Sequence, residues 1–492
     1  MASGLSKEED TKQQCYYSVR VSRRERVAAV LPLQEHWLPL SNLDLLLPAL
    51  HFDIFACYKK PTNASCFSTM VSMLRAALAQ TLVSFYPLAG ELVSNSQGEP
   101  ELLCNNHGVN FIEAHADIEL KDLCLYNPDQ NVEGKLVPTK LEGLLCVQAT
   151  ELKCGGIVVA CMFDHRITDA HSANMFLVTW AETAGARPIS ITPSFRRSLL
   201  NPRRPGCYDE SFNLLYTPLS LLPLISTPAS CSEDEDHPIS RIYCITAEDV
   251  QEMQATASAG LSSKRSKLEA FSAFLWSIIG KAVSNLAAPA SPGEVCRMGI
   301  VVDGRARLGC HMANYFGNVL SIPYGSLSLD ELETMQLWQV ADKVHEFLEE
   351  AVTEEHFRGM IDWVEAIRPD KAVAKIYLDE RTPSLVVSSG QRFPVDNLDF
   401  GWGSPVLASY HFPWGSNTGY VMPMPMPMPC GQGDWVVYVH LPSRLIKALE
   451  DEFGHVFQRL TADHLGLISN VDTINHGQCC CCLGTSTVTG PN

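Results

Sequence analysis

Residues 155–177 read GGIVVACMFDHRITDAHSANMFL, and their character changes at the centre of the stretch. The run at 155–163 is continuously apolar and rich in β-branched residues, which is typical of a buried strand. From Ala170 onward, apolar side chains recur at a helical period. The stretch therefore predicts a buried strand, a polar turn and a helix, an arrangement typical of α/β proteins.

The polar turn at 164–171 contains two histidines and two carboxylates, and three interpretations are open. A metal site is disfavoured, because neither an HExxH sequence nor a cysteine cluster accompanies it. Asp169 directly precedes the helical pattern, where a carboxylate caps free N–H groups and meets the positive end of the helix dipole. His165 is then either a structural histidine or a general base, since an imidazole with a pKa of about 6.5 accepts protons in its neutral form.

Helical and strand patterns continue on both sides of this stretch. Residues 68–85 place apolar side chains at a helical period, and Ser-x-x-Glu sequences at Ser266 and Ser328 match the capping box that opens a helix. Strand-like runs lie at 298–303, 383–389 and 434–441. The alternation of strands and helices predicts an α/β fold.

The segment 196–240 interrupts this alternation with repeated prolines, the acidic run SEDED and no sustained period, which is typical of a linker. We therefore predict an N-terminal domain at 1–195, a crossover linker at 196–240 and a C-terminal domain at 241–475. The unbroken CCCC at 479–482 lacks the spacing of a zinc site, so we expect a flexible Cys-rich tail at 476–492.

The repeat MPMPMPMP at 422–429 stands out within the second half. Every second residue lacks a backbone N–H and has a fixed φ angle. We therefore expect a loop here, and neither a helix nor a paired strand.

Composition excludes several classes of protein. The 492 residues include 37 Lys and Arg against 55 Asp and Glu, and the resulting net charge of −18 disfavours binding to nucleic acids or acidic membranes. The N-terminus is hydrophilic, and the leucine-rich run at 43–50 is far shorter than the ~20 residues that span a bilayer. We expect a cytoplasmic protein whose 18 cysteines are mostly reduced thiols.

Several common reactions lack their sequence marks. We find no G-x-S-x-G nucleophile elbow, no phosphate-binding GxxxxGK[ST] loop and no G-x-G-x-x-G after a strand. Hydrolase, nucleotide-dependent and dehydrogenase functions are therefore disfavoured.

Two ordered signatures carry a resemblance to a known family. His165-Arg-Ile-Thr-Asp169 matches H-x-x-x-D, and Asp399-Phe-Gly-Trp-Gly403 matches D-F-G-W-G. With them the chain resembles the plant BAHD acyl-CoA-dependent acyltransferases, and it looks most like the coniferyl alcohol and hydroxycinnamoyl acyltransferase branch. The similarity extends through LSNLDLLLP (40–48), FYPLAGEL (85–92), KLEAFSAFLW (267–276), VVDGRARL (301–308) and YFGN (315–318).

The resemblance implies a fold and a base. Two chloramphenicol-acetyltransferase-like α/β domains with mixed sheets would be joined by a long crossover, with a channel between them. Acyl-CoA and the acceptor would meet at His165, which the resemblance makes the catalytic base. Acyl-CoA would be a co-substrate, with no permanently bound cofactor and no metal site.

The other site residues also follow from the resemblance. The family counterpart of Asp399 is often placed with the catalytic residues, but we favour a structural ion pair between Asp399 and Arg305. Structural support would come from Asp169, Arg305, Gly401, Trp402 and Gly403. Contacts to CoA would come from Lys264, Ser266, Lys267, Ser388 and Ser389, with Arg265 as a further cation for its phosphates.

The resemblance implies acyl transfer to a hydroxyl or amine of a plant secondary metabolite, with a phenylpropanoid alcohol such as coniferyl alcohol as the acceptor. It also implies that the enzyme is a monomer. One alternative is a hydroxycinnamoyl transferase with another acceptor, such as shikimate, quinate, a fatty alcohol or an amine. A second is a non-catalytic relative that binds a metabolite.

Two positions depart from the family pattern. The first motif is usually followed by Gly, where this chain has Ala170, and many hydroxycinnamoyltransferases have an aromatic residue where it has Gly390. We expect the small residue at 390 to widen or reshape the acceptor pocket, which disfavours shikimate and quinate.

Overall fold

The computed structural model describes residues 16–468 except 62–65, 141, 223–235, 262, 287–293, 379–381, 415–417 and 429–430. The predicted Cys-rich tail at 476–492 lies outside the described residues. No described helix combines the length and the hydropathy that a membrane span requires. The described cysteines, from Cys57 to Cys310, are free thiols.

The strands, in chain order, are β1 (Val19–Val27), β2 (His36–Pro39), β3 (His51–Tyr58), β4 (Glu91–Ser94), β5 (Pro100–Cys104), β6 (Val109–Ala116), β7 (Leu145–Leu152), β8 (Ile157–Asp164), β9 (Tyr216–Pro218), β10 (Pro238–Ile245), β11 (Val295–Ile300), β12 (Val302–Asp303), β13 (Leu320–Ser321), β14 (Tyr324–Ser328), β15 (Ala372–Ala374), β16 (Ser384–Val387), β17 (Leu407–His411), β18 (Gly419–Pro425), β19 (Trp435–Pro442) and β20 (Gln458–Arg459). The α-helices are α1 (Phe67–Ser84), α2 (Pro128–Asn131), α3 (Ala170–Ala184), α4 (Phe212–Leu215), α5 (Ala247–Ala257), α6 (Lys267–Leu286), α7 (Arg305–Leu308), α8 (Leu329–Thr334), α9 (Leu337–Ala351), α10 (Glu354–Ile367) and α11 (Ser443–Phe453).

Two large mixed sheets organise the chain. The first has six strands in the order β1-β6-β7-β8-β3-β17, and the second has seven in the order β14-β11-β16-β18-β19-β10-β20. Each sheet combines antiparallel pairs with parallel ones, such as β6 with β7 and β11 with β16. The predicted α/β class with two mixed-sheet domains is confirmed.

The stretch at 155–177 folds as predicted. Strand β8 is buried at every position, and it pairs with β7 on one side and β3 on the other. This double burial explains the absence of alternating polar residues in its sequence. Helix α3 begins at Ala170, and its cap is Asp169, whose side chain accepts a hydrogen bond from the N–H of Ser172 at 2.8 Å.

Strand β17 comes from the C-terminal half of the chain but belongs to the first sheet. It pairs antiparallel with β3, from Leu407 opposite Cys57 to His411 opposite Asp53. The domain boundaries at 195 and 241 stay a prediction. Strand β17 shows that the second half of the chain contributes a strand to the first sheet.

The expected loop at 422–429 is wrong for its first half. Residues 422–425 are part of β18, which pairs with β19. Met426 N–H donates to Asp434, so the even-numbered residues point their N–H groups toward β19, while Pro423 and Pro425 turn their nitrogens to the other side. On that side the ladder with β16 ends at Val421 opposite Val387, so the prolines remove no hydrogen bond that the sheet needs.

The predicted linker at 196–240 contains short elements where the structure describes it. Strand β9 pairs with β15 of the second half, and β10 begins at Pro238 within the second sheet. The segment therefore packs against the second half of the chain.

Candidate active site

A cavity of about 1270 Å³ is lined by residues of both large sheets. Phe52 of β3 and Tyr410 of β17 belong to the first sheet, and Tyr420 and Met422 of β18 belong to the second. His165 is among the lining residues. His165, from the first half of the chain, can therefore contact a molecule that residues of both halves bind.

His165 occupies the first position after β8, at the carboxyl end of the buried strand. Its backbone N–H donates to the Leu50 carbonyl at 2.9 Å, and its carbonyl accepts from Nδ2 of Asn318 at 2.9 Å. The imidazole lies edge-on to the Phe52 and Phe412 rings, with centroids 5.0 and 6.1 Å away. Backbone bonds and aromatic packing thus fix the ring at the cavity wall.

The surroundings of His165 keep its imidazole neutral. Burial lowers its pKa below the ordinary value of 6.5, against opposing effects of its own carbonyl, the Asp169 charge and the Asn318 side chain. Nδ1 is enclosed and has no hydrogen-bond partner in the described part of the chain. The opposite ring edge, which carries Nε2, is therefore the one available to accept a proton from a molecule in the cavity.

The lowered pKa predicts the pH dependence of the reaction. A general base works in its neutral form, so kcat/KM should be constant at neutral pH and fall as pH drops through the pKa of His165. Because this pKa is lowered, the midpoint of the acid limb should lie below 6.5. A pH profile of kcat/KM measures it, and a midpoint clearly above 6.5 would contradict the neutral, buried imidazole.

Asp169 supports this turn with two sets of contacts. Besides capping α3, its carboxylate accepts hydrogen bonds from the two terminal nitrogens of Arg305 at 2.8 and 3.1 Å, and both side chains are buried. Burial alone would raise the pKa of Asp169, but the charge and hydrogen bonds of Arg305 bring it below its usual value. Arg305 also donates to the carbonyls of Tyr315 and Gly317, at 3.0 and 2.7 Å. The pair fastens the turn after β8 to the segment 303–317.

The expected pairing of Arg305 with Asp399 is wrong. Oδ1 of Asp399 instead accepts hydrogen bonds from the N–H groups of Gly401 and Gly403, both at 2.8 Å. Both glycines have a φ of 104°, which lets the loop fold back onto the carboxylate. The Asp399 carbonyl also accepts a hydrogen bond from Arg187. Asp399 does not line the cavity, so its contacts fit a structural role.

The aromatic residues of the second motif anchor this loop. The Trp402 ring stacks on Phe400 at 5.6 Å and meets Tyr58 edge-on at 6.0 Å. Phe400 in turn packs edge-on against Trp180 of α3 at 4.8 Å. The DFGWG sequence thus closes one side of the core that packs between the first sheet and α3.

We expect Asp399→Ala to destabilise the protein without removing its chemistry. The substitution removes the hydrogen bonds of two exposed backbone N–H groups, which costs about 0.5–1.5 kcal/mol for each bond because water can replace the acceptor. Asp399→Asn keeps one acceptor oxygen and should cost less. Thermal unfolding checks the stability, and kcat/KM of the folded variant checks the chemistry. An Asn variant that is stable but as inactive as a variant without His165 would place Asp399 in the reaction.

The residues predicted to contact CoA separate into two groups. Ser266, Ser388 and Ser389 line the cavity. Lys264 and Lys267 do not line it, although Lys264 is exposed.

The assignment of Arg265 to the phosphates of CoA is wrong. Its side chain is buried and forms an ion pair with Asp342, so it presents no free charge to a ligand.

Other residues of the cavity wall were not predicted from the sequence. Arg307 and Arg392 are exposed cations on the lining, and His345 binds Glu269 through Nδ1 at 2.7 Å. Tyr410 donates to Oδ1 of Asn174 at 2.9 Å. Arg307, Glu269 and Asn174 lay in segments that the sequence singled out. Arg392, His345 and Tyr410 join them at the cavity only through the tertiary fold.

A protein family model described as Transferase family matches residues 17–456. The chain belongs to this family, the BAHD acyltransferases. The resemblance carried by the two motifs is therefore confirmed. Members of the family use CoA thioesters as co-substrates, and the chain is an acyltransferase by this membership.

Relatives of this BAHD protein include enzymes named for different acceptors. The shikimate O-hydroxycinnamoyltransferase of Nicotiana tabacum is 27% identical over 79% of this chain and 89% of the relative. The omega-hydroxypalmitate O-feruloyl transferase of Arabidopsis thaliana is 26% identical over 75% and 79%. The anthranilate N-benzoyltransferase protein 1 of Dianthus caryophyllus is 28% identical over 79% and 89%.

Solved structures support the fold of this BAHD protein. Vinorine synthase has a TM-score of 0.67 at 19% identity, covering 90% of this chain and all of that one. TRI101 of F. graminearum, complexed with coenzyme A and T-2 mycotoxin, has a TM-score of 0.68 at 15% identity, covering 85% and 98%. These similarities show that the chain has the two-domain acyltransferase fold.

Proposed function

We propose that this enzyme transfers an acyl group from an acyl-CoA to a hydroxyl, or an amine, of a phenylpropanoid alcohol such as coniferyl alcohol. The observation that carries the proposal is the position of His165, a neutral base on the wall of a cavity that both sheets line. A monomeric, cytoplasmic enzyme remains a prediction from the sequence.

In the proposed reaction, Nε2 of His165 removes the proton from the acceptor hydroxyl or amine. The acceptor heteroatom attacks the thioester carbonyl, and its π electrons move to the oxygen of a tetrahedral intermediate. When this intermediate collapses, the C–S bond breaks and the leaving thiolate takes the proton from the imidazolium. Free CoA and the ester or amide are the products, and no covalent enzyme intermediate is needed.

The cavity lining favours an aromatic acyl group. Phe52, Tyr410, Phe412, Trp414 and Tyr420 all line the cavity. Flat rings pack well against such walls. The three relatives described above are named for hydroxycinnamoyl, feruloyl and benzoyl transfer, which are all aromatic acyl groups, whereas their acceptors differ. These observations support an aromatic acyl-CoA, and the coniferyl alcohol acceptor rests on the sequence resemblance.

The proposed position of CoA follows the polar and cationic part of the lining. Ser266, Ser388 and Ser389 offer small polar contacts, and the exposed Arg307 and Arg392 offer charges for phosphate groups. Lys264 and Lys267 stay proposed contacts for the part of CoA that extends beyond the cavity.

A panel of acyl-CoAs and acceptors tests the proposal directly. Release of CoA-SH is followed with a thiol reagent, and mass spectrometry identifies each product. Acceptors should include coniferyl alcohol, shikimate, quinate, a fatty alcohol and an aromatic amine. A non-catalytic relative that only binds metabolites would release no thiol with any pair, and transfer to shikimate in preference to coniferyl alcohol would overturn the acceptor.

Gly390 constrains the acceptor pocket differently from the sequence expectation. A Cβ at this position would lie 2.6 Å from Cγ of Met424, 2.8 Å from the Pro423 carbonyl and 3.1 Å from Cγ of Met422. The space beside Gly390 is thus filled by the Met-Pro strand and adds no volume to the cavity. The small residue reshapes the lining by letting residues 388–392 approach β18.

We expect Gly390→Ala to lower the free energy of unfolding by about 1–3 kcal/mol, because the Pro423 backbone cannot move away easily. Gly206→Ala is a matched control, since its added Cβ meets no atom closer than 3.7 Å. Chemical denaturation compares the two variants. Equal stability of both would show that β18 yields to a side chain at 390.

A further inference from the structure

A second cluster of ionisable side chains lies outside the cavity. Asp129 of α2, Glu133 and His411 of β17 place one potential ligand atom each within 4.8 Å of one another. None of the three lines the cavity around His165. The cluster lies where the strand contributed by the C-terminal half meets the segment after α2.

His411 lacks the hydrogen bonds that a buried imidazole requires. The side chain is fully buried, and neither Nδ1 nor Nε2 has a hydrogen-bond partner in the described ranges. Its Nε2 lies 3.7 Å from Oε2 of Glu133, beyond hydrogen-bonding distance. Because buried polar groups are nearly always satisfied, this ring points to a ligand other than a protein group.

Asp129 also has a free lone pair at this place. Its Oδ2 accepts a hydrogen bond from the Ser240 N–H at 2.6 Å, but Oδ1 is enclosed without a partner in the part of the chain that the structure describes. The neighbouring cation, Arg241, lies 4.0 Å from Oδ2. One carboxylate oxygen of Asp129 is therefore buried beside the cluster without a hydrogen bond.

Asp53 adds a further carboxylate beside His411. The two residues are directly opposite each other in the β3–β17 ladder, where side chains share one face of the sheet. Oδ1 of Asp53 is enclosed without a partner among the residues described. A further unsatisfied oxygen thus lies beside an imidazole that has no hydrogen bond.

The nearby His440 does not complete the cluster. Its Nδ1 contacts Oγ of Ser240 at 3.0 Å, and its Nε2 contacts the Trp414 carbonyl at 3.1 Å. Both ring nitrogens of His440 have partners. The potential metal ligands are therefore those of Asp129, Glu133 and His411, with Asp53 beside them.

We propose that Asp129, Glu133 and His411 bind a divalent cation, Zn²⁺, which fastens β17 to the segment after α2. One imidazole and two carboxylates form a nitrogen and oxygen donor set that zinc accepts, with a fourth position for water or Asp53. Bond lengths of about 2.0–2.2 Å place tetrahedral ligands about 3.4 Å apart. Separations in the cluster reach up to 4.8 Å, so its widest pair has to contract by up to about 1.4 Å. Glu133 is 53% exposed and free to make this movement.

The proposed ion has a structural consequence for the cavity. The residue after His411 is Phe412, whose ring packs against His165. Zinc at this site would stabilise the end of β17 and the placement of that ring. It would take no part in the chemistry, so metal binding and acyl transfer can be tested separately.

The experiment compares the wild-type protein, Glu133→Gln and Asp129→Asn after removal of metal with a chelator. Glu151→Gln is the matched control, since Glu151 pairs with His115 at 2.9 Å but belongs to no cluster of three such ligands within the described ranges. Calorimetric titration with Zn²⁺ measures binding. Titration with Co²⁺ gives visible ligand-field bands, and a sulfur-to-cobalt charge-transfer band marks any ion held by cysteine instead.

The wild type and Glu151→Gln should bind one more equivalent of Zn²⁺ than Glu133→Gln and Asp129→Asn. Zinc should raise the unfolding temperature of the first two proteins and leave that of the other two unchanged. The corresponding Co²⁺ bands should lack the sulfur signature. Equal binding by all four proteins, or binding that carries only the sulfur signature, would overturn the proposal. Because Glu133 is exposed, its Gln variant should fold, and a loss of zinc binding cannot be ascribed to unfolding when its circular dichroism matches the wild type.

Discussion

Replacing His165 with alanine should lower kcat/KM by roughly 10²–10⁴-fold, the contribution that a positioned general base makes to proton transfer. The imidazole lies at the cavity wall between Phe52 and Phe412, and its lowered pKa keeps it neutral. Removing it leaves the acceptor with only water to take its proton. The rate of CoA-SH release at saturating acyl-CoA measures the loss.

The fold of the His165→Ala protein should persist, because the contacts that hold this position are made by the backbone with Leu50 and Asn318. His171→Ala is an informative comparison from the first turn of α3, since His171 also lines the cavity but binds the Ala313 carbonyl at 3.0 Å. It should retain a far larger share of activity. The acid limb of the pH profile should disappear from any residual activity of His165→Ala, and undiminished thiol release would disprove the base assignment.

The sequence predicted well what depends on neighbouring residues. Strand β8, the cap at Asp169 and the start of α3 follow from an apolar run, a carboxylate and a helical period within 20 residues. The capping box at Ser266 is present too, with Oγ of Ser266 accepting from the Glu269 N–H at 3.2 Å. These features are local, and local chemistry is readable from one segment.

The partners of distant residues could not be predicted in this way. Asp169 and Asp399 both offered a carboxylate to Arg305, and only the tertiary fold places Asp169 within hydrogen-bonding distance. The prolines of β18 are compatible with a strand only because β16 ends beside them. The sequence of β18 alone does not reveal where its neighbouring strand ends. The cluster at His411 likewise depends on a strand crossing between the two halves of the chain.

Replacing Arg305 with methionine should destabilise the protein by about 3–5 kcal/mol, the cost of leaving a buried charge without its partner. Asp169 is wholly buried and would lose both hydrogen bonds from the guanidinium. The carbonyls of Tyr315 and Gly317 would lose their donors as well. Urea denaturation and thermal unfolding measure the loss.

Arg307→Met separates the ion pair from a general effect of removing an arginine, because Arg307 is exposed two residues away and should change stability by less than about 0.5 kcal/mol. The double variant Asp169→Asn/Arg305→Met tests the physical cause. Its carboxamide carries no charge and still accepts from the Ser172 N–H, so the double variant should be more stable than Arg305→Met alone. The stability losses of the single variants Asp169→Asn and Arg305→Met could instead add up in the double variant. The cost of Arg305→Met would then come from the other contacts of Arg305, and the segment at 315–317 would be what holds the turn that carries His165.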